Sequence, residues 1–130
     1  MNLVRNSLQT PDGTILYSRH RHDYREHVDA NGKTYMVDGG LAYHRASAHG
    51  DEKYLNVWDT DPFIEVREAV EWGSYGINGD EPLKWNRLCD MSTDHIEAVL
   101  KNVKTIGDTY RKAFNLELEY RGIREEYEQS

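Results

Sequence analysis

The densest run of ionisable side chains is Arg19-His20-Arg21-His22-Asp23. Read as a strand, it turns Arg19, Arg21 and Asp23 to one face and His20 and His22 to the other. Two imidazoles at i, i+2 can share a metal ion. His27 and His44 would then add nitrogens, and Asp23 or Asp29 an oxygen. The spacing matches no zinc pattern and no cysteine is near. The competing reading is an exposed strand whose histidines bond to neighbours, and no metal is expected. Nucleophilic chemistry has little to stand on. There is no G-x-S-x-G elbow and no G-x-x-x-x-G-K-[ST] phosphate loop. A Ser/His/Asp triad stays open, because its members need not be close in sequence. Cys89, the single cysteine, lies beside Asp90, whose charge raises a thiol pKa and weakens a thiolate nucleophile. The chain therefore reads as a binding protein and not as an enzyme, with no cofactor.

Residues 72–90, WGSYGINGDEPLKWNRLCD, gather glycines and large rings. Asn78-Gly79 is a turn dipeptide. Trp72, Tyr75, Asn78 and Asp80 can grip a planar ligand, or the stretch can be a decorated connection between a helix and a strand. Gly73, Gly76 and Gly79 lack the strand–helix context of a dinucleotide loop. Glu117 and Arg121 stand at i, i+4, the spacing of a plain surface ion pair. Arg121 can alternatively fork onto a phosphate.

These residues need elements to position them. The chain has 130 residues, which suits one domain spanning 1–130. Its net charge of −7 argues against a general nucleic-acid binder. A single cysteine allows no intrachain disulfide, which fits a reducing compartment. No apolar run approaches a membrane span. The start, MNLVRNSLQT, lacks the apolar centre of a signal peptide, so a soluble cytosolic protein is expected.

Residues 1–47 read as short strands joined by turns at Pro11-Asp12-Gly13, Asn31-Gly32 and Asp38-Gly39-Gly40. Which face of 33–37 is buried, Lys33, Tyr35 and Val37 or Thr34 and Met36, is open. A helix is expected over 61–72, capped by Asp59, Thr60 or Asp61, begun by Pro62 and ended by Gly73. A strand follows over 83–88. Ser92 caps a second helix over 92–103, where Ile96, Val99, Leu100 and Val103 make one apolar stripe. A last helix is expected over 108–126, though Gly122 can end it sooner. The class is α+β: an antiparallel meander of four to six strands followed by two or three helices, the last two forming a pair. The wide apolar face of the last helix, Tyr110, Ala113, Phe114, Leu116, Leu118 and Tyr120, motivates a homodimer or higher oligomer.

Two stretches carry a resemblance: SRHRHDY (18–24) with VDGGLAY (37–43), and residues 72–100 with LEYR (118–121). Together they resemble small proteins of phages and prophages. Many of those carry a C-x-x-C pair before the first stretch and a C-x-C pair after it. Here Gln9 and Asp12 stand at the first pair and roughly His27 and Asp29 at the second, so the turns are expected to hold the hairpins instead. The layout is similar to the Thoeris anti-defence sponges. Those proteins bind cyclic ADP-ribose isomers, the signals of TIR-domain immune enzymes, and sequester them without cleavage. The resemblance implies a cyclic nucleotide partner, such as glycocyclic ADP-ribose, and the cytoplasm of an infected bacterial host. Residues 72–80 would close over that ligand, with Trp72 or Tyr75 on the base, Asn78 and Asp80 nearby, and Arg21, Arg111 or Arg121 at the phosphates. Two rivals are an inhibitor acting by protein–protein interaction on a host defence factor and a small hydrolase of a nucleotide signal.

Overall fold

A computed structural model describes residues 1–76 and 78–122. The chain forms two compact units, Met1–Thr60 and Asp61–Ser130. It has the α+β character expected, with antiparallel strands before the helices, but seven short strands in two sheets replace the expected meander of four to six, and a further strand pair follows the first helix.

The N-terminal unit holds β1 (Leu3–Gln9), β2 (Ile15–Ser18), β3 (Arg25–Val28), β4 (Thr34–Asp38), β5 (Arg45–Ala46), β6 (Lys53–Tyr54) and β7 (Val57–Trp58). One sheet runs β2-β1-β6, with β7 also on β1; the other runs β3-β4-β5. All pairings are antiparallel. Alternation decides which faces are inside. On β1, Val4, Asn6 and Leu8 are buried, and on β4, Tyr35 and Val37 are. Leu8, Leu16, Tyr35 and Val37 form the core with Ala46 against it. The face carrying Tyr35 and Val37 is thus the buried one.

The segment between β2 and β3 is a turn and not a strand, so His20 and His22 share no strand face. Buried side chains hold it there. Asn6 Nδ2 donates to the Asp38 and Gly40 carbonyls, both at 3.0 Å. The Gly40 amide donates to Ser18 Oγ at 2.8 Å, and that hydroxyl donates to the Asp23 carbonyl at 2.7 Å. Gly40 has φ +52°, and a Cβ there would fall 2.5 Å from the His20 carbonyl carbon. Only glycine accepts both the backbone and the approach. The SRHRHD and DGG segments are therefore two sides of one clasp.

The C-terminal unit holds α1 (Phe63–Ala69), β8 (Glu71–Ser74), β9 (Lys84–Arg87), a 3-10 turn over Leu88–Asp90, α2 (Thr93–Asn102) and α3 (Asp108–Tyr120). The expected helix over 61–72 is corrected at both ends. Asp59 is occupied with Asn2, accepting its amide at 2.8 Å, and Pro62 holds the cap position without a side-chain bond. The C-terminal end is taken by strand pairing. Val70 is already extended, and Glu71–Ser74 pairs with Lys84–Arg87. Gly73 therefore lies inside a strand. A Cβ there would meet the Trp85 ring at 3.1 Å, so glycine leaves the room that the indole fills.

Ser92 caps α2 as expected, its Oγ accepting from the His95 amide at 3.1 Å. Ile96, Val99 and Leu100 are buried along one stripe. α2 and α3 pack together. The apolar face of α3 is narrower than expected: Leu116 and Tyr120 are exposed, while Glu117 is fully buried with Ala113, Phe114 and Leu118. Arg67 Nε donates to Glu117 Oε1 at 2.8 Å and Nη2 to Oε2 at 2.8 Å; Arg121 Nε donates to Oε2 at 2.7 Å. Two arginines thus compensate one buried carboxylate, the condition for keeping such a charge away from water. The bond to Glu117 pushes the Arg67 guanidinium pKa up against the opposing effect of burial. Residues 123–126 of the expected last helix, Arg124 among them, lie outside the described residues, as does Ile77.

Candidate functional site

The residues best arranged to hold a ligand are in the N-terminal unit. Arg5, Ile15, Leu16, Tyr17, Arg19, Arg25 and Glu26 line an open groove of about 520 Å³. That volume is within the roughly 300–1,000 Å³ typical of small-molecule sites. Three guanidinium groups and one carboxylate line it, on a chain of net charge −7, and one of the three, Arg25, is paired with Asp23.

Strand register explains the convergence. Asn6 pairs with Ser18 at the end of the β1–β2 ladder, and Arg5 and Arg19 are the residues next to that pair. Both turn onto the same ring. The Arg5 guanidinium carbon lies 4.6 Å from the centre of Tyr17 and that of Arg19 lies 4.2 Å from it. Their carbons are then at most about 9 Å apart, a distance at which like charges repel by roughly 0.5 kcal/mol even at the dielectric of water. Cation–ring attraction of at least about 0.5–1 kcal/mol at each of these half-buried contacts offsets this. Arg5 is held further by Ser7, whose Oγ accepts its Nε at 2.9 Å.

The clasp supplies the third cation. The buried Asp23 accepts Arg25 Nε at 2.6 Å and the Arg19 amide at 2.8 Å. Burial works against its charge, but the Arg19 amide and the Arg25 guanidinium outweigh that and hold its carboxyl below the ordinary 3.8. One inward carboxylate thus ties the backbone of Arg19 and the side chain of Arg25 to the groove's edge.

The residues expected from sequence are placed differently. Arg21 is at the tip of the turn before Asp23 and is exposed. Trp72 is on β8 with its ring edge-on to Tyr110 and Phe114, at 5.6 and 5.5 Å between centres, as part of the C-terminal unit's packing. Tyr75, Asn78 and Asp80 are exposed in the connection between β8 and β9. That connection is closed by the Glu81 amide donating to the Tyr75 carbonyl at 2.8 Å. Arg111 is turned back on its own helix, donating to Asp108 Oδ1 at 2.7 Å and the Ile106 carbonyl at 2.9 Å. Arg121 is committed to Glu117, to Thr93 Oγ1 at 3.0 Å and to the Leu88 carbonyl at 3.2 Å. Its pairing is neither a surface bridge nor a phosphate fork but part of the buried triad. Arg111 and Arg121 are also ten residues apart on one helix, roughly 15 Å along its axis. Arg5, Tyr17 and Arg25 were missed because the pairing of β1 with β2 and the turn before β3 bring them together.

A second cluster joins the first two hairpins. His27 Nε2 lies 2.7 Å from Asp12 Oδ2 and 3.3 Å from Thr14 Oγ1. Bonds from the Thr10 hydroxyl, His27 and Thr14 hold the Asp12 carboxyl well below the usual range. Carboxylate and hydroxyl meet the same imidazole nitrogen, whereas a relay needs them on opposite ones. Among the described residues, no group of three or more His, Cys, Asp or Glu side chains is placed to hold a metal ion. Burial, more than Asp90, pushes the Cys89 thiol up. No helix among the described residues is long and apolar enough to cross a membrane. Comparisons with protein-family models, curated proteins and solved structures found no match to this chain.

Proposed function

We propose that this chain binds a cyclic nucleotide immune signal, a cyclic ADP-ribose isomer such as glycocyclic ADP-ribose, and sequesters it without cleavage in the cytoplasm of a phage-infected bacterium. The observation that carries the reading is the pair of arginines stacked on Tyr17 in a cationic groove of an otherwise acidic protein. Guanidinium forks suit phosphate oxygens, and sequestration requires contacts but no general base. The phage-type motifs support the choice of ligand. The Asp12–His27–Thr14 geometry lends the hydrolase reading no support. The inhibitor reading draws on the exposed Ile64 and Tyr120 of the C-terminal unit, with Phe63 against Tyr120 at 6.0 Å between ring centres. The exposed Leu116 and Tyr120 also motivate a homodimer, which sedimentation at micromolar concentration tests; monomer alone counts against it.

The deciding experiment incubates the protein with cyclic ADP-ribose isomers, removes it by filtration, heat-denatures it and assays the released ligand by mass spectrometry. Sequestration predicts depletion from the filtrate and intact recovery after heating. Recovery of linear ADP-ribose would identify a hydrolase. An undepleted filtrate would overturn the binding reading and leave the protein-directed inhibitor.

A further inference from the structure

We infer that Asp12 and His27 are positioning residues for the groove: their contact ties the turn between β1 and β2 to β3, and so fixes the spacing of the two strands that wall it. The bearing of this on ligand binding rests on the groove being the site proposed above.

The groove needs such a tie. Its lining comes mainly from β2, through Ile15, Leu16 and Tyr17, and from β3, through Arg25 and Glu26. Those strands belong to different sheets, each at the edge of its own, so among the described residues no backbone ladder joins one to the other. The shared core of Leu8, Leu16, Tyr35 and Val37 draws the sheets together, but apolar attraction has no direction. Directed bonds have to set the spacing, and they stand at the two ends of the gap. At one end Ser18, the last residue of β2, donates from its hydroxyl to the Asp23 carbonyl at 2.7 Å, two residues before β3 begins. At the other end are Thr14, just before β2, and His27, just after Glu26. There His27 Nε2 lies 2.7 Å from Asp12 Oδ2 and 3.3 Å from Thr14 Oγ1. A gap tied at both ends keeps its width, and a gap tied at one end can splay.

Asp12 serves both sides of this contact. Its Oδ1 belongs to the turn, accepting the Thr10 hydroxyl and, at 3.1 Å, the Thr14 amide. The Thr10 amide donates to the Thr14 carbonyl and the Gly13 amide to the Thr10 carbonyl, both at 2.9 Å, so the turn is braced before it meets β3. Oδ2 is left for the imidazole. A carboxyl held below the ordinary range is ionised and only accepts, so His27 Nε2 carries the hydrogen and donates. His27 stands opposite the buried Tyr35 on the β3–β4 ladder, which places it on the inner face of β3 and directs it toward the turn. Neither Asp12 nor His27 lines the groove, so replacing them leaves the lining side chains in place. Both are partly exposed, and exposed pairs contribute little to global stability. The effect to look for is therefore local opening.

Residue-resolved hydrogen exchange by NMR on the full chain tests this with His27→Ala, Asp12→Ala and His27→Gln, whose amide nitrogen takes the place of Nε2. In both alanine variants exchange should accelerate about 2- to 12-fold, the effect of losing one hydrogen bond, at residues 10–14 and 25–28. The amides of α2 and α3 and those between β1 and β2 should keep wild-type rates, and His27→Gln should restore protection. Asp12→Ala reaches the tie from the other side and keeps the test decisive if His27→Ala does not fold. Wild-type exchange in the alanine variants overturns the inference. So does a uniform rise across residues 1–60, which would make the pair a plain stabiliser. Calorimetric titration with cyclic ADP-ribose then separates the inference from the reading it rests on. If the wild type binds, folded His27→Ala should bind about 2- to 12-fold more weakly and His27→Gln within about twofold of wild type. Unchanged affinity in His27→Ala overturns the inference and leaves the sequestration reading standing. If the wild type does not bind, the sequestration reading falls and the exchange pattern alone decides whether the tie sets the spacing.

Discussion

Replacing Glu117 with glutamine removes one negative charge and little else. The carboxylate is fully buried and receives three guanidinium hydrogen bonds of 2.7–2.8 Å, two from Arg67 and one from Arg121. Glutamine keeps the volume, but its amide nitrogen presents donors to a guanidinium where an acceptor stood. Two arginines that are 17% and 19% exposed are left without their counter-charge. Breaking a buried pair by removing one partner costs about 3–5 kcal/mol, most of it from the charge left behind. For a chain of this length that corresponds to a fall in Tm of roughly 10–20 °C. Urea unfolding followed by far-UV circular dichroism measures it, and an unchanged slope shows that the unfolded state is not the cause. The triple variant Arg67→Met, Glu117→Leu, Arg121→Met should recover most of the loss, because well-packed apolar groups of similar size commonly match a buried ion network. A loss below about 1 kcal/mol for Glu117→Gln would refute the reasoning, since that is the range of solvent-screened surface pairs.

Gly40→Ala should destabilise the N-terminal unit by roughly 1–3 kcal/mol and weaken anion binding with it, because the clasp carrying Arg19 and Arg25 is displaced; thermal melting and titration read the two effects separately. Trp72→Ala should cost roughly 3 kcal/mol through its lost contacts with Tyr110 and Phe114, while Tyr75→Ala should stay within about 0.5 kcal/mol, as denaturant midpoints will show. Asp23 has a folded pKa below its unfolded value of about 3.8, so its contribution is present above that value and is lost as the pH falls through the folded pKa. The difference in urea midpoint between wild type and Asp23→Asn should therefore hold from about pH 7 to 5 and close toward pH 3. A difference that closes between pH 7 and 5 would contradict the sign of that shift.

Local signals were legible where local physics decides. Asn31-Gly32 made its turn because Asp29 Oδ1 accepts the amides of Asn31 and Lys33 at 2.9 Å each, all within one loop. The cap at Ser92 and the stripe on α2 follow from periodicity alone. The end of α1 was not legible, because the competitor for Glu71–Ser74 is the later strand Lys84–Arg87, across a loop, which the helical pattern does not display. Glu117 read as a surface residue because its partner Arg67 is fifty positions distant. The groove was hidden for the same reason: Arg5, Tyr17 and Arg25 belong to three strands. The arginines of the dense ionisable run did stand out, but their apparent alternation depended on a strand that the Asn6 and Ser18 bonds turn into a loop.

The position of β1 has a consequence during synthesis. Its edge toward β2 is covered almost at once, but its other edge waits for β6 and β7. β6 begins at Lys53, 44 residues after β1 ends at Gln9, or roughly 2–9 s at ribosomal rates of about 5–20 residues per second. Throughout that interval the nascent hairpin presents open amide and carbonyl groups, a template for pairing with a neighbouring chain on the same polysome. Slower translation through residues 10–53 lengthens that exposure and faster translation shortens it, while the finished fold is the same.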